Sequence, residues 1–274
     1  VDALLDGLKE IKLQSDLLSL IPTMGNLHDG HLSLIRKAKQ ISDHVVVSVF
    51  INPMQFNNDE DLQNYPRTLE QDLKALQDEG VSLVFTPREQ EIYPNGFNHH
   101  TTIHVPILSK QLCGANRQNH FEGVCTVVYK LFQLIRPDFA LFGEKDLQQL
   151  LIIKKMVRDL SINTEIEMVP TVRETDGLAM SSRNGYLSYD ERALAPLFSR
   201  TLEETAKRVA ESDSDIGTVI AEGKAILTDA GFVLDYLEAR HTYDLCKASS
   251  LNQETAIFGA AFLGTTRLID NRIV

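Results

Sequence analysis

The chain reads as an α/β protein, a Rossmann-like parallel-sheet nucleotide-binding domain with a smaller C-terminal α/β domain, and three observations predict it. Apolar runs at residues 17–21, 45–51, 81–85 and 139–142 are short and little interrupted, as strands buried on both faces of a parallel sheet are, and 165–171 returns to the sheet. Stretches of helical spacing separate them, which makes a βαβ alternation. After residue 171 the pattern changes to two long helical segments followed by apolar or alternating runs. Because 173–184 is polar and rich in turn formers, the boundary is expected near Val172, giving domains 1–171 and 172–274. At 274 residues the chain is long enough for both to have a core.

In order, the first strand at 17–21 leads into residues 22–31, where two histidines and two glycines precede a helix marked by Leu34, Ile35, Ala38 and Ile41. The strand at 45–51 ends in the loop Asn52, Pro53, Met54, Gln55, Phe56. A helix over 68–80 is expected to turn Leu69, Leu73 and Leu76 inward, before the strand 81–85. Residues 101–107 read as an edge strand or hairpin, and 122–136 as a helix with Val124, Val128, Leu131 and Ile135 on one side, stopped by Pro137. A strand at 139–142 precedes Gly143, Glu144, Lys145 and Asp146, then a helix carrying Leu147, Leu150, Leu151, Lys154 and Val157, and the sheet resumes at 165–171. The C-terminal part reads as helices at 189–210 and 216–230, separated by a Ser/Asp turn at 212–215, then runs at 232–238, 256–263 and 267–269.

The 38 acids against 27 bases give a formal net charge of −11, which opposes nonspecific binding to nucleic acid or anionic membranes. Cys113, Cys125 and Cys246 are odd in number and lack a metal-binding spacing, which suits a reducing compartment. There is no stretch of 18 apolar residues and no basic region followed by an apolar leader, so a soluble cytoplasmic protein is expected.

His28 and His31 stand near a helix N-terminus, where unpaired N–H groups and the dipole favour an anion and imidazoles can donate to phosphate oxygens; the alternative is that one histidine caps a turn and the other lies on the surface. Lys145 can offer an ammonium to phosphate after a strand and a glycine, with Gln149 one helical turn on, although an ordinary helix-start acid and a solvent-facing lysine are the alternative. The hydroxyls and guanidinium of Ser181, Ser182 and Arg183 could grip phosphates, although a capped turn is the alternative. The phosphate-loop motif and an ordered Gly-x-Gly-x-x-Gly are both absent. Asn52 and Gln55 lie at the carboxyl end of a strand, where sheet ligands bind, and their amides can read hydroxyl and carboxylate groups; Met54 and Phe56 read equally well as core. Asp72 is a magnesium candidate, with an ordinary solvated acid as the alternative, while Glu60, Asp61, Glu70 and Glu79 read as solvated acids. Arg117 and His120 could touch an anion, or serve as a cap and a packed imidazole. No zinc cluster and no Ser-His-Asp order can be inferred.

Taken together, residues 22–31, 52–56, 65–68, 120–126, 143–146 and 180–184 resemble the pantothenate synthetase (pantoate-beta-alanine ligase) family, across nearly the whole chain. The His-x-Gly-His element alone indicates only a wider nucleotidyl-transferring superfamily. The resemblance implies ATP-dependent activation of pantoate as pantoyl adenylate, release of pyrophosphate, and attack by beta-alanine to give pantothenate and AMP. It also implies Mg2+ and a homodimer, while closure of the smaller, lid-like domain over the cleft is expected from the polar Met180 loop and the two-lobe layout. Carried onto this sequence, His28, His31, Lys145, Ser181, Ser182 and Arg183 contact ATP phosphates, and Met24, Gly25, Gly143, Asp146, Val172 and Met180 line the nucleotide site. Gln55 and Gln149 hold pantoate, Asn52, Tyr65 and Arg117 belong to the surrounding pattern, and Asp72 matches a position linked to magnesium through water. Gln71 departs from relatives that carry a further acid there, and the first strand comes early for the family, so a shortened start or an altered first strand is expected. Two other classes remain open from the residues themselves: a nucleotidyltransferase that stops after transfer, and a noncatalytic nucleotide-binding module.

Overall fold

The computed structural model describes residues 1–11, 16–56, 62–63, 65–211 and 215–274. Glu60, Asp61 and the turn residues Ser212, Asp213 and Ser214 lie outside them. The described chain forms two compact units, Val1–Gly143 with Gln148–Pro170, and Glu144–Leu147 with Thr171–Val274.

The first unit is built on five parallel strands, β1 (Leu18–Thr23), β2 (His44–Val49), β3 (Leu83–Phe85), β4 (Phe139–Gly143) and β5 (Glu165–Val169), in the order β3-β2-β1-β4-β5. The order reverses between β1 and β4, and the crevice outside the carboxyl ends of such a pair is where open α/β sheets bind ligands. The connections are α1 (Asp2–Ile11), α2 (Asp29–Ile41), α3 (Leu69–Asp78), α4 (Glu89–Ile92), α5 (Cys113–Asn116), α6 (His120–Ile135) and α7 (Leu147–Asp159). One face of the sheet closes over Ile21, Val45, Val47 and Leu141 with Leu34, Ile35 and Ala38 of α2 and Leu76 of α3. The inward stripe of α7 is Leu150, Ile153 and Met156, with Ile152 beside it, and Lys154 is exposed.

Two local expectations are corrected, and one helix is added. Residues 101–107 form no strand: Ile103 N–H donates to Thr126 Oγ1 of α6 at 2.9 Å, so a side chain holds this segment where a ladder was expected. In α3 only Leu76 of the three leucines is buried, while Leu69 and Leu73 are 44% and 40% exposed. The inward partner of Leu76 one turn earlier is Asp72, because α3 rotates to bring that carboxylate to unpaired backbone donors. The amphipathic helix α1 before the first strand had no counterpart in the sequence reading.

The second unit is an antiparallel meander, β6 (Val233–His241), β7 (Thr255–Leu263) and β8 (Thr266–Ile273), with α8 (Tyr189–Leu194), α9 (Pro196–Glu211) and α10 (Ile216–Asp229). The single helix expected over 189–210 is broken at Ala195, because Pro196 has no N–H and starts a new helix where none is required. Phe198 and Leu202 of α9 sit over Gly259 of β7, where a Cβ would come within 2.9–3.0 Å of their side chains. The core adds Val219, Leu227, Phe232, Leu237 and Ile257.

Candidate active site

From the end of β1 the chain turns through Gly25 and Asn26, both left-handed at φ 81° and 51°. Glycine is required at the first, since a Cβ would also lie 3.0 Å from Asp72 Oδ2 and 3.1 Å from Val49. The turn directs two successive N–H groups at Asp72: Asn26 donates to Oδ2 at 2.9 Å and Leu27 to Oδ1 at 2.8 Å, with Thr68 Oγ1 adding a third bond to Oδ2 at 3.1 Å. At 3% exposure, this carboxylate fixes the loop that presents the histidines.

His28 caps α2, and the two rings form a reciprocal capping box more often built from Ser/Thr with Glu/Gln. Gly30 N–H donates to His28 Nδ1 at 3.1 Å, and His28 N–H donates to His31 Nδ1 at 3.3 Å. An Nδ1 that accepts leaves the ring proton on Nε2, so both imidazoles are Nε2–H donors, with ring centroids 4.2 Å apart at a helix N-terminus. Such an arrangement can bind phosphate oxygens and stabilise charge that builds on them.

After β2, residues Pro53–Gln55 make one 3-10 turn capped by Asn52. Asn52, whose amide could read a substrate from the sequence and which the resemblance places in the surrounding pattern, is 1% exposed with its amide occupied by protein partners. Nδ2 donates to Gly123 O at 3.0 Å and Gln55 Oε1 at 3.2 Å, while Oδ1 accepts from Tyr93 Oη at 2.7 Å and Met54 N–H at 3.3 Å. Burial, and secondarily the charge of Glu89, pushes the Tyr93 hydroxyl up, which keeps it a donor. The half-buried Gln55 donates from Nε2 to Met24 Sδ at 2.8 Å, joining the loop after β2 to the one after β1.

The Gln55 carbonyl lies 2.7 Å from His120 Nδ1 and 3.5 Å from the Arg117 guanidinium, whose other nitrogen lies 3.1 Å from His120 Nε2. These contacts require the Nδ1–H tautomer, because only a donor suits the carbonyl and only an acceptor suits the guanidinium. His120 is therefore the packed imidazole of the two alternatives, and it orients Gln55 from behind. Phe56 packs edge-on to buried Tyr65, ring centroids 5.8 Å apart.

Two residues that sequence reasoning missed complete this arrangement. At Gly123 of α6 a Cβ would stand 2.5 Å from Met54 C and O and 2.7 Å from Gln55 N. Gly123→Ala is expected to force the turn away and destabilise the protein by about 1–3 kcal/mol. Urea unfolding checks it, and wild-type stability would mean that the turn yields freely. Gln148 of α7 is buried, donates to Leu108 O at 2.9 Å and Gln111 O at 2.6 Å, and accepts from Cys113 N–H at 3.1 Å. It pins a segment in which Ile107 and Leu112 are held at φ 68° and 47°. Its neighbour Gln149 is half-buried and makes no side-chain hydrogen bond among the described residues. The sequence signals for Gly123 are a glycine inside a largely apolar helix and its place in the segment 120–126; Gln148 has none. Cys125, buried in α6 with its thiol pushed up to about 12 by burial and secondarily by Glu122, is no nucleophile.

Gly143 ends β4, and a Cβ there would meet nothing within 4 Å. In the second unit, Lys145 lies on the turn Glu144–Asp146, largely buried, with Nζ 3.8 Å from exposed Asp146. Val172 and Met180 come together because Met180 N–H donates to Val172 O at 3.0 Å, closing a hairpin that turns at Gly177. Ser181 Oγ accepts from Arg183 N–H at 3.2 Å and caps the 3-10 turn Ser182–Tyr186, so the expected capped turn and the polar loop are the same object.

A family model for pantoate-beta-alanine ligase matches residues 1–273. A pantothenate synthetase of Shewanella sediminis is 52% identical over 258 residues, covering 94% of this chain and 92% of the relative. One of Hahella chejuensis is 49% identical over 265 residues, covering 97% and 94%. Among solved structures, a pantothenate synthetase from Thermus thermophilus superposes with a TM-score of 0.92 at 41% identity, covering 98% of this chain and 96% of that one. A pantoate-beta-alanine ligase from Francisella tularensis, complexed with beta-gamma ATP and beta-alanine, gives 0.81 at 35% identity, covering 98% and 95%.

Proposed function

The chain belongs to the pantoate-beta-alanine ligase family, and on that premise we propose how its own residues carry the ATP-dependent condensation of pantoate with beta-alanine. A pantoate carboxylate oxygen attacks the ATP α-phosphorus, the bond to the bridging oxygen of the β-phosphate breaks, and pyrophosphate leaves. The resulting pantoyl adenylate has a good leaving group in AMP. The neutral amine of beta-alanine then attacks the acyl carbon, AMP departs, and the amine gives up its proton. No covalent enzyme intermediate is needed, so the protein's work is alignment and charge stabilisation.

The observation that carries this reading is the pair of Nε2–H donors, His28 and His31, fixed at the N-terminus of α2. In the proposed assignment they contact ATP phosphates together with Lys145, Ser181, Ser182 and Arg183. Met24, Gly25, Gly143, Asp146, Val172 and Met180 line the nucleotide, and Gln55 and Gln149 hold pantoate. Asn52, Arg117 and His120 act behind Gln55, and Tyr65 supports Phe56. Residues 1–171 form the nucleotide and pantoate domain in this reading, and 172–274 the lid-like one.

Mg2+ is proposed to arrive with the ATP phosphates, whose charge it would screen. Asp72 does not fit a direct ligand, since its two oxygens already accept from Asn26, Leu27 and Thr68, and it would reach the ion through water. Among the described residues no group of three His, Cys, Asp or Glu side chains could hold a metal. Among the described residues no helix is long and apolar enough to cross a membrane, and the charge of −11 supports small-molecule partners over nucleic acid. A cytoplasmic homodimer completes the proposal, its assembly testable by sedimentation.

Incubation with ATP, Mg2+, pantoate and beta-alanine, together and singly, is expected to yield pantothenate, AMP and pyrophosphate in equal amounts by mass detection. ADP with phosphate would demand an acyl-phosphate route and overturn the mechanism. Pyrophosphate release independent of pantoate would point to a generic nucleotidyltransferase.

A further inference from the structure

We propose that Asn271, on β8, is the positioning residue that fixes Lys145 for phosphate chemistry, acting through the backbone of the turn Glu144–Asp146. The proposal rests on the reading of Lys145 as a phosphate contact. Asn271 Nδ2 donates to two consecutive carbonyls of that turn, Glu144 O at 2.8 Å and Lys145 O at 3.0 Å. Both hydrogens of one amide thus hold the peptide units on either side of the Lys145 Cα. The same turn is tied at its start, where Glu144 Oε2 accepts from Thr171 N–H at 3.3 Å.

The amide itself is firmly held. Asn271 N–H donates to Asp270 Oδ1 at 2.8 Å. Asp270, its side chain fully buried, accepts both arms of Arg173 at 2.8 and 3.0 Å and a further bond from Arg272 at 3.2 Å. Arg173 follows Val172 in the hairpin that leads to Met180 and Ser181. Two adjacent residues of β8 therefore fix both segments of this unit to which phosphate and nucleotide contacts are assigned.

Asn271 makes a poor packing residue. It is 3% exposed, and its buried Oδ1 has no hydrogen-bond partner among the described residues. An apolar side chain would avoid that penalty, so what an asparagine adds here is its two donors. Without them two carbonyls are released, and the turn can reorient the long, flexible lysine stem. Misplacement of a catalytic group by about 1 Å can lower a rate on the order of a hundredfold.

Asn271→Asp keeps the size, removes both donors and sets a carboxylate against two carbonyl oxygens. At saturating ATP it is expected to slow pantoate-dependent pyrophosphate release by about tenfold or more. Pantothenate formation from supplied pantoyl adenylate should stay within about twofold of wild type, a split that general loss of folding would not produce. The decisive comparison is a double-mutant cycle: in a Lys145→Ala background the same change should cause less than about a twofold further loss. Asn271→Ser, which removes the paired donors without adding charge, gives the same cycle if the aspartate variant does not fold. Equal losses in both backgrounds would assign Asn271 a purely structural role, and unaltered pyrophosphate release would give it none; either overturns the proposal. Full pyrophosphate release by Lys145→Ala alone would instead overturn the underlying reading of Lys145, and the proposal with it.

Discussion

Lys145→Ala and His31→Ala are each expected to leave a cooperatively folding protein whose pantoate-dependent pyrophosphate release is about a hundredfold to a thousandfold slower. Lys145 sits on a short turn whose main-chain carbonyls accept from the Asn271 amide, so truncating its side chain leaves those bonds in place. His31 accepts one capping bond from His28 N–H, and its loss costs α2 about 1 kcal/mol, too little to unfold a protein of this size. The kinetic effect is larger because both groups face charge that changes as the α-phosphorus is attacked. Removing one preorganised donor from such a site raises the barrier by about 3–4 kcal/mol. Rapid-quench measurement of pyrophosphate and pantothenate separates the halves: with pantoyl adenylate supplied, the amine-transfer half should be much less sensitive. Normal pyrophosphate release in both folded variants would sink the charge-stabilisation model.

Gln55→Ala and Gln149→Ala should impair pantoate recognition while ATP binding is retained. Gln55 is held on both sides, its amide by Asn52 and Met24 and its carbonyl by His120 and Arg117, so its side chain is already ordered before substrate arrives. Losing one buried hydrogen-bond partner costs about 1–3 kcal/mol, or roughly fivefold to more than a hundredfold in affinity. Gln149, lacking an internal partner among the described residues, is expected to show the cleaner effect, because its removal breaks nothing within the protein. Titration of pantoate at fixed ATP, with ATP affinity measured separately, is the check. An unchanged pantoate dependence in both variants would remove them from the substrate site.

The strands of the first unit were legible because a parallel sheet buried on both faces needs unbroken apolar runs, and 45–51 and 139–142 offer little else. The α9 break is written in Pro196, whereas α1 precedes the first strand and is not one of the βαβ crossovers that the alternation predicts. The candidate site divides in the same way. His28, His31, Lys145 and the 180–184 loop could be read locally, since a helix start or a polar turn presents its own residues.

What the linear pattern determined was therefore the βαβ alternation, the smaller second domain and the segments that carry polar chemistry. The tertiary structure alone decided which polar groups face inward. Asp72 looks like one acid among several on α3, yet two N–H groups some 45 residues away make it the inward face in preference to Leu69 and Leu73. Asn52 looks like a substrate reader until Gly123 and Tyr93 occupy its amide, and Asn271 meets the Lys145 turn only after β8 has formed. The physical reason is common to all three: hydrophobic periodicity is a property of neighbours in sequence, but a buried hydrogen-bonding group is satisfied by whichever distant donor or acceptor the fold brings to it.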